Sequence, residues 1–209
     1  SIEIPLKKRW LIWHYTNKNV ASFNFWQRSH EAILCCWKNK PIFNRDDVRE
    51  PYTEGFLNGA AGKTRAGTIG RFGKNGKITT YNAHENGALP RDVIKTPALA
   101  GGAGMNERWF LCKTCKKVLH PKEITKHLNH NIIKHPTQKP LGLSKKLIKS
   151  AITKNSGIVL APFAGVGSEC VAAKELGKSY IGFEINPDYI KIANAILKTT
   201  TRTEMPKLF

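Results

Sequence analysis

Between residues 158 and 199 the chain passes through an apolar run, a glycine turn, a helical segment, a second apolar run and a second helical segment. No other feature constrains the fold as much. IVLAPF at 158–163 reads as a continuous apolar strand. SECVAAKEL at 168–176 reads as a helix stopped by Gly177, and YIGFEI at 180–185 as the next strand. PDYIKIANAILK then opens another helix with Pro187 in its first turn. Upstream, Leu141–Ile152 places apolar residues at 141, 143, 147, 148, 151 and 152, a helical distribution. Strand, helix, strand and helix in succession imply a parallel sheet with helices on its faces, because each crossover must return the chain to the same sheet end.

The turn APFAGVGSE at 161–169 puts Gly165 and Gly167 between a strand and a helix, where missing side chains let a ligand approach the backbone. The helix that follows presents free amide donors. Glu184 ends the next strand, where an acidic side chain accepts hydrogen bonds from ribose hydroxyls about twenty residues after such a turn. Together they describe an adenosine pocket; a tight strand-to-helix turn is the alternative. A dinucleotide-dependent oxidoreductase would place a third glycine where this chain has Cys170.

KHPTQKP at 134–140, LAPFAGVGSE and IGFEINPDY occur in that order, and the series resembles the carboxyl-terminal half of the permuted β class of amino-group DNA methyltransferases. The resemblance implies an α/β fold: an incomplete, Rossmann-like methyltransferase fold with a parallel-rich sheet, a loop-rich basic insertion and a small Cys/His module. It implies S-adenosylmethionine as cofactor, with Pro162, Phe163, Ala164, Gly165, Gly167 and Ser168 lining its methionine and adenosine parts. Glu184 would bind the ribose, Asn186 would be a further cofactor-binding residue, and His135, Thr137, Gln138 and Lys139 would close the methionine end. The family has Asp where this chain has Ala161, which removes a polar contact near the cofactor amino group and lowers the expected affinity.

LIWHYTN, SHEAILCCWK and LPRDVI look like the strands and linker that follow the catalytic motif in that family. Family members carry Asp, Asn or Ser before Pro-Pro-aromatic to hold the flipped base. This chain has no such tetrapeptide; EPYT at 50–53 has one proline and lies among polar loop residues. The chain is therefore expected to be a carboxyl-terminal fragment, inactive alone, completed by a missing amino-terminal portion or a homodimer. The target base is expected to be adenine, methylated at N6.

Cys112-Lys-Thr-Cys115 followed by His127-Leu-Asn-His130 offers two thiolates and two imidazoles for a tetrahedral zinc site, with His120 or His135 as possible substitutes. A reduced hairpin with incidental histidines is the alternative. Five cysteines form no even disulfide framework, which favours thiols or metal.

Lys and Arg total 34 against 15 Asp and Glu, a formal charge of +19, so a polyanionic partner is expected, double-stranded DNA first. In the loop-rich segment 44–108, Arg45, Arg49, Lys63, Arg65, Arg71, Lys74, Lys77 and Arg91 alternate with Tyr52, Phe56, Phe72 and Tyr81. That mixture suits phosphate contacts and base stacking. Asn75-Gly76 signals a hairpin within it. GAAGKT at 59–64 is no phosphate loop, because Leu57 stands where the first glycine belongs and no strand precedes it.

The expected organisation is 1–43, strands of the methyltransferase sheet (WLIWHY at 10–15 and HEAILCCW at 30–37, both buried); 44–108, target recognition; 109–133, a zinc module; and 134–209, the cofactor region. No apolar run reaches membrane-spanning length and SIEIPLKKRW is not a signal peptide, so a cytoplasmic protein, prokaryotic or phage-encoded, is expected. A non-catalytic zinc-containing DNA-binding protein with a vestigial methyltransferase fold is the competing reading.

Overall fold

A computed structural model of the chain describes residues 6–17, 24–65, 79–100, 102–152 and 157–202. The strands among them are β1 (Lys7–His14), β2 (His30–Trp37), β3 (Thr64–Arg65), β4 (Thr79–Thr80), β5 (Val93–Lys95), β6 (Phe110–Cys112), β7 (Lys117–Leu119), β8 (Ile132–Ile133), β9 (Ile158–Ala161) and β10 (Ser179–Gly182). The α-helices are α1 (Glu54–Gly59), α2 (Leu141–Ala151), α3 (Ser168–Glu175) and α4 (Pro187–Thr199). The chain divides into two compact units, Ser1–Asn44 with Asp92–Phe209, and Arg45–Arg91. The Asn75-Gly76 hairpin lies outside the described residues.

In the larger unit β9 and β10 run parallel, with Ile158 opposite Ser179 and Ala161 opposite Gly182. Val159 and Tyr180 pack with Leu176 against Ile148, Ala172 and Ala173 of α2 and α3. The opposite face, carrying Ile158, Leu160 and Ile181, is exposed, so these strands are buried on one side only. β1 pairs antiparallel with β2 and parallel with β5, in the order β2-β1-β5. β6 pairs antiparallel with both β7 and β8.

The expected parallel-rich sheet is thus corrected to several small sheets, parallel only at β9–β10 and β1–β5 among the described residues. Parallel pairing needs a crossover, usually helical, and no helix is described between β1 and β2 or between β6 and β7. The burial expected for 30–37 is corrected as well: β2 is an edge strand whose residues alternate between exposed and half-buried.

Trp13, Tyr15, Ile94, Ala98 and Leu143 form the core beneath β1. The Trp13 indole donates to the Thr96 carbonyl at 2.9 Å, and Asn17 exchanges bonds of 2.9 and 2.7 Å with the Ala98 backbone. The Tyr15 hydroxyl donates to Glu31 Oε1 at 2.9 Å. Burial first, then the Glu31 carboxylate, pushes the Tyr15 pKa up to about 12. The folded state therefore holds this proton more tightly than the unfolded chain. The stability involved is complete below the unfolded value of about 10 and is lost as pH rises through the folded one. Measured at several pH values, the gap in urea midpoint between the parent and Tyr15→Phe should narrow across that window. A gap that stays constant would show that the tyrosine titrates as if unfolded.

In the smaller unit the Thr53 hydroxyl accepts from the Phe56 amide at 3.3 Å and caps α1. The rings of Tyr52 and Phe56 stack at 4.6 Å. Arg49 binds Asp46 Oδ1 and the Gly87 carbonyl, both at 2.7 Å.

Candidate cofactor site and Cys/His cluster

From Ala161 the chain turns through residues 162–167 into α3, with Gly165 at φ +56° and Gly167 at φ +79°. Residues with side chains seldom adopt these angles. A Cβ at Gly165 would stand 2.8 Å from His135 Nε2, and one at Gly167 would stand 3.2 Å from Ala193 Cβ. The bend is joined to the end of β10 by bonds from the Phe183 amide to the Ala161 carbonyl (2.9 Å) and from the Ala164 amide to the Phe183 carbonyl (2.8 Å).

Glu184 follows directly. Its Oε2 accepts from the Gly165 amide at 2.8 Å and its Oε1 from the Asn186 amide at 2.8 Å. Asn186 Oδ1 in turn accepts from the Asp188 amide at 2.9 Å and caps α4. The Asn186 amide, the largest influence, acts with that of Gly165 to outweigh burial and hold Glu184 below its ordinary carboxylate pKa. A lowered pKa gives stability that is present above the unfolded value and lost as pH falls through the folded one. A Glu184→Gln variant should therefore differ most from the parent at neutral pH and converge with it on acidification. Equal urea midpoints for the two at neutral pH would contradict this.

His135 faces the same bend, its ring 4.6 Å from that of Tyr189. Burial, the largest influence, lowers its pKa against the opposing charge of Glu184. The Thr137 amide donates to His135 Nδ1 at 3.3 Å. The rest of that segment is engaged elsewhere. Gln138 is buried and donates to the Glu107 carbonyl at 2.9 Å. Lys139 pairs with Glu31 Oε2 at 2.5 Å and lies 5.1 Å above the Trp13 ring.

Gln138, Val166 and Ser168 line a cavity of about 430 Å³ with Glu107, Lys145 and Glu175, while Pro162 and Phe163 are exposed. Of the residues named from sequence, Gly165, Glu184, Asn186 and His135 converge, and Gln138 and Lys139 do not join them. Glu107 escaped the sequence reading although its carboxylate accepts from the Leu141 amide at 2.9 Å at the start of α2. A lone acid at the end of a short 3-10 turn, Gly102–Glu107, carries no periodic signal.

The two cysteines and two histidines named from sequence do meet. The ligand atoms of Cys112, Cys115, His127 and His130 lie within 4.8 Å of one another. Cys115 Sγ is 3.4 Å from His127 Nδ1 and 3.0 Å from His130 Nδ1, and Cys112 Sγ is 3.4 Å from His130 Nδ1. The histidines considered as substitutes are engaged elsewhere: His120 caps the turn Pro121–His127 and meets Trp109 edge-on, and His135 faces the bend.

In the smaller unit Arg45 is exposed beside Asp46, and Arg91 pairs with Glu50 at 3.0 Å. The Arg49 side chain is buried in its two contacts, which leaves it unsuited to the phosphate role expected of it. Arg71, Phe72, Lys74 and Lys77 lie outside the described residues, as does the side chain of Arg65.

Comparison with known proteins adds a family. The N6/N4 DNA methylase family model matches residues 7–195. The type II methyltransferase M1.MboII of Moraxella bovis is 26% identical over 192 residues, covering 91% of this chain and 62% of the relative. M.HpaI of Haemophilus parainfluenzae is 30% identical over 142 residues, covering 68% of this chain and 41% of the relative. Among solved structures, the M1.HpyAVI-SAM complex is 21% identical, with 92% of this chain and 62% of that one covered and a TM-score of 0.46. The chain spans less than two thirds of the length of these relatives.

Proposed function

The chain belongs to the N6/N4 DNA methylase family, and from that premise we propose that it forms the cofactor-binding portion of a DNA methyltransferase of the modification type. Its substrate is an exocyclic amino group of double-stranded DNA, adenine N6 by preference, and its cofactor is S-adenosylmethionine. The observation that carries this reading is the 2.8 Å contact between the Gly165 amide and Glu184 at the carboxyl ends of the parallel strands β9 and β10.

The residues fit such a cofactor. Gly165 has no Cβ to push the His135 ring away from the bend. Glu184 has two bonds to backbone amides but about four lone-pair sites, so it retains capacity for ribose hydroxyls. S-adenosylmethionine, when bound, supplies an electrophilic methyl on a sulfonium. Gly165, Gly167, Glu184 and Asn186 would hold its nucleoside, with His135 and Thr137 towards the methionine end. Pro162, Phe163, Ala164 and Ser168 complete the lining by family pattern, whereas Gln138 and Lys139 are held away from it by Glu107 and Glu31. Zinc is the second cofactor of this reading, supported by the meeting of Cys112, Cys115, His127 and His130. A cytoplasmic setting is supported by the bacterial sources of the relatives.

The chain has no Pro-Pro-aromatic motif to orient a flipped base for in-line attack. The expected result is therefore split: calorimetry should detect S-adenosylmethionine binding, and a labelled-methyl assay with duplex DNA should stay at background. Absence of binding would favour the competing non-catalytic DNA-binding protein. Robust transfer by this chain alone would show that catalytic residues lie within it.

The exposed Arg45 belongs to the proposed DNA contact region. Arg45→Ala should weaken duplex binding in all sequence contexts and reduce the slope of log affinity against log salt by about 1. Fluorescence anisotropy across a salt series measures this, and an unchanged slope would remove Arg45 from the interface.

A further inference from the structure

We propose that one Zn²⁺ ion held by Cys112, Cys115, His127 and His130 acts as the clasp that fixes the cofactor bend, through β6 and Lys113. This rests on the zinc reading above and extends it to what the ion does.

The four side chains have the dimensions of a ligand set. At bond lengths of about 2.3 Å to sulfur and about 2.0 Å to nitrogen, a tetrahedron separates its ligand atoms by roughly 3.3 to 3.8 Å. The sulfur-to-nitrogen distances of 3.0 to 3.4 Å and the 3.1 Å between His127 Nδ1 and His130 Nδ1 lie close to that range. The backbone is shaped to match. The Cys115 amide donates to Cys112 Sγ at 3.3 Å. Lys116, immediately after the second cysteine, has φ 58°, the single positive φ outside glycine among the described residues. Strain of this kind persists only where its surroundings enforce it. β6, β7 and β8 have three, three and two residues, too little sheet for independent stability.

What the clasp holds is the bend. Leu111, the neighbour of Cys112 in β6, is buried in one cluster with Val166, the residue between the two bend glycines, and with Ile192 of α4. Lys113, between the two cysteines, pairs with Asp188 in the first turn of α4. The Asp188 amide binds the Asn186 side chain, the Asn186 amide binds Glu184, and Glu184 binds the Gly165 amide. Lys113 is thus a positioning residue: it touches no proposed cofactor atom and acts through Asp188. A metal that fixes the Cys112–Cys115 turn fixes Leu111 and Lys113 together.

The test combines metal analysis with hydrogen exchange on the whole chain. Protein purified without chelator should contain one zinc per chain by mass spectrometry. Stripping the metal should speed exchange of the Gly165 and Asn186 amides at least tenfold, leave β1–β2 unchanged, and be reversed by added zinc. A Lys113→Ala variant keeps every ligand, so it should retain zinc and still exchange faster at Asn186. Finding no zinc would overturn both the zinc reading and the clasp, without touching the methyltransferase reading. Zinc present with unchanged exchange at the bend after stripping, or in Lys113→Ala, would overturn the clasp alone. Equal acceleration in β1–β2 would mean general unfolding and would also overturn it.

Discussion

Replacing Gly165 with valine should raise the dissociation constant for S-adenosylmethionine by about 100-fold or more, equivalent to nearly 3 kcal/mol. Two effects act together. A β-branched residue at φ +56° is strained by roughly 1–3 kcal/mol. Its Cβ would also fall 2.8 Å from His135 Nε2, so the imidazole must leave the bend or the bend must open. Either adjustment disturbs the 2.8 Å bond from the Gly165 amide to Glu184. The far end of the histidine can rotate away, so the fold should survive with the pocket distorted. Calorimetry with S-adenosylmethionine, on protein checked by circular dichroism, measures this. A variant that binds the cofactor as tightly as the parent would mean that the bend is an ordinary tight turn.

The second large effect is expected in the helix behind that bend. Ile192 is fully buried, in the cluster formed by Leu111, Val166, Val171 and Ile196. Truncation of Ile192 to alanine removes buried methyl groups and leaves a cavity, for a loss of about 2–5 kcal/mol. That is a large share of the roughly 5–15 kcal/mol that holds a typical domain together. Ile185 is 97% exposed, and Ile185→Ala should change stability by less than about 0.5 kcal/mol. Urea unfolding of the two variants gives the contrast directly. Similar losses would mean that α4 is not seated on the bend as described.

The helices and strands from Leu141 to Thr199 were readable because each is bounded by a local cue. Gly177 follows α3, Pro187 opens α4, and the glycine pair separates β9 from α3. β2 was legible to its ends because its apolar run is flanked by polar residues. Strand ends at the bend were less so: 158–163 reads as one run, yet β9 stops at Ala161, because the backbone turns at Pro162 and Phe163.

Side-chain destinations were not legible in the same way. KHPTQKP reads as one binding segment, but His135 faces the bend while Gln138 and Lys139 reach Glu107 and Glu31. The segment turns at Pro136 and Thr137, so its side chains diverge, and which of them meets a partner depends on elements far away in the chain. Arg49 reads as one more basic residue in a basic loop, and only its contacts with Asp46 and Gly87 identify it as structural.

Taken alone, the order of residues determined the chemistry available to this protein: glycines at 165 and 167, an acid at 184, and two cysteines and two histidines at short spacing. These are local facts, set by which residues tolerate a positive φ, accept a hydrogen bond or ligate a metal. Tertiary structure decided that Glu184 bonds to the Gly165 amide, that Cys112 and His130 meet across eighteen positions, and that Lys113 pairs with Asp188. Such contacts depend on how strands and helices pack, and packing sums many weak, long-range contributions that no short window of sequence contains.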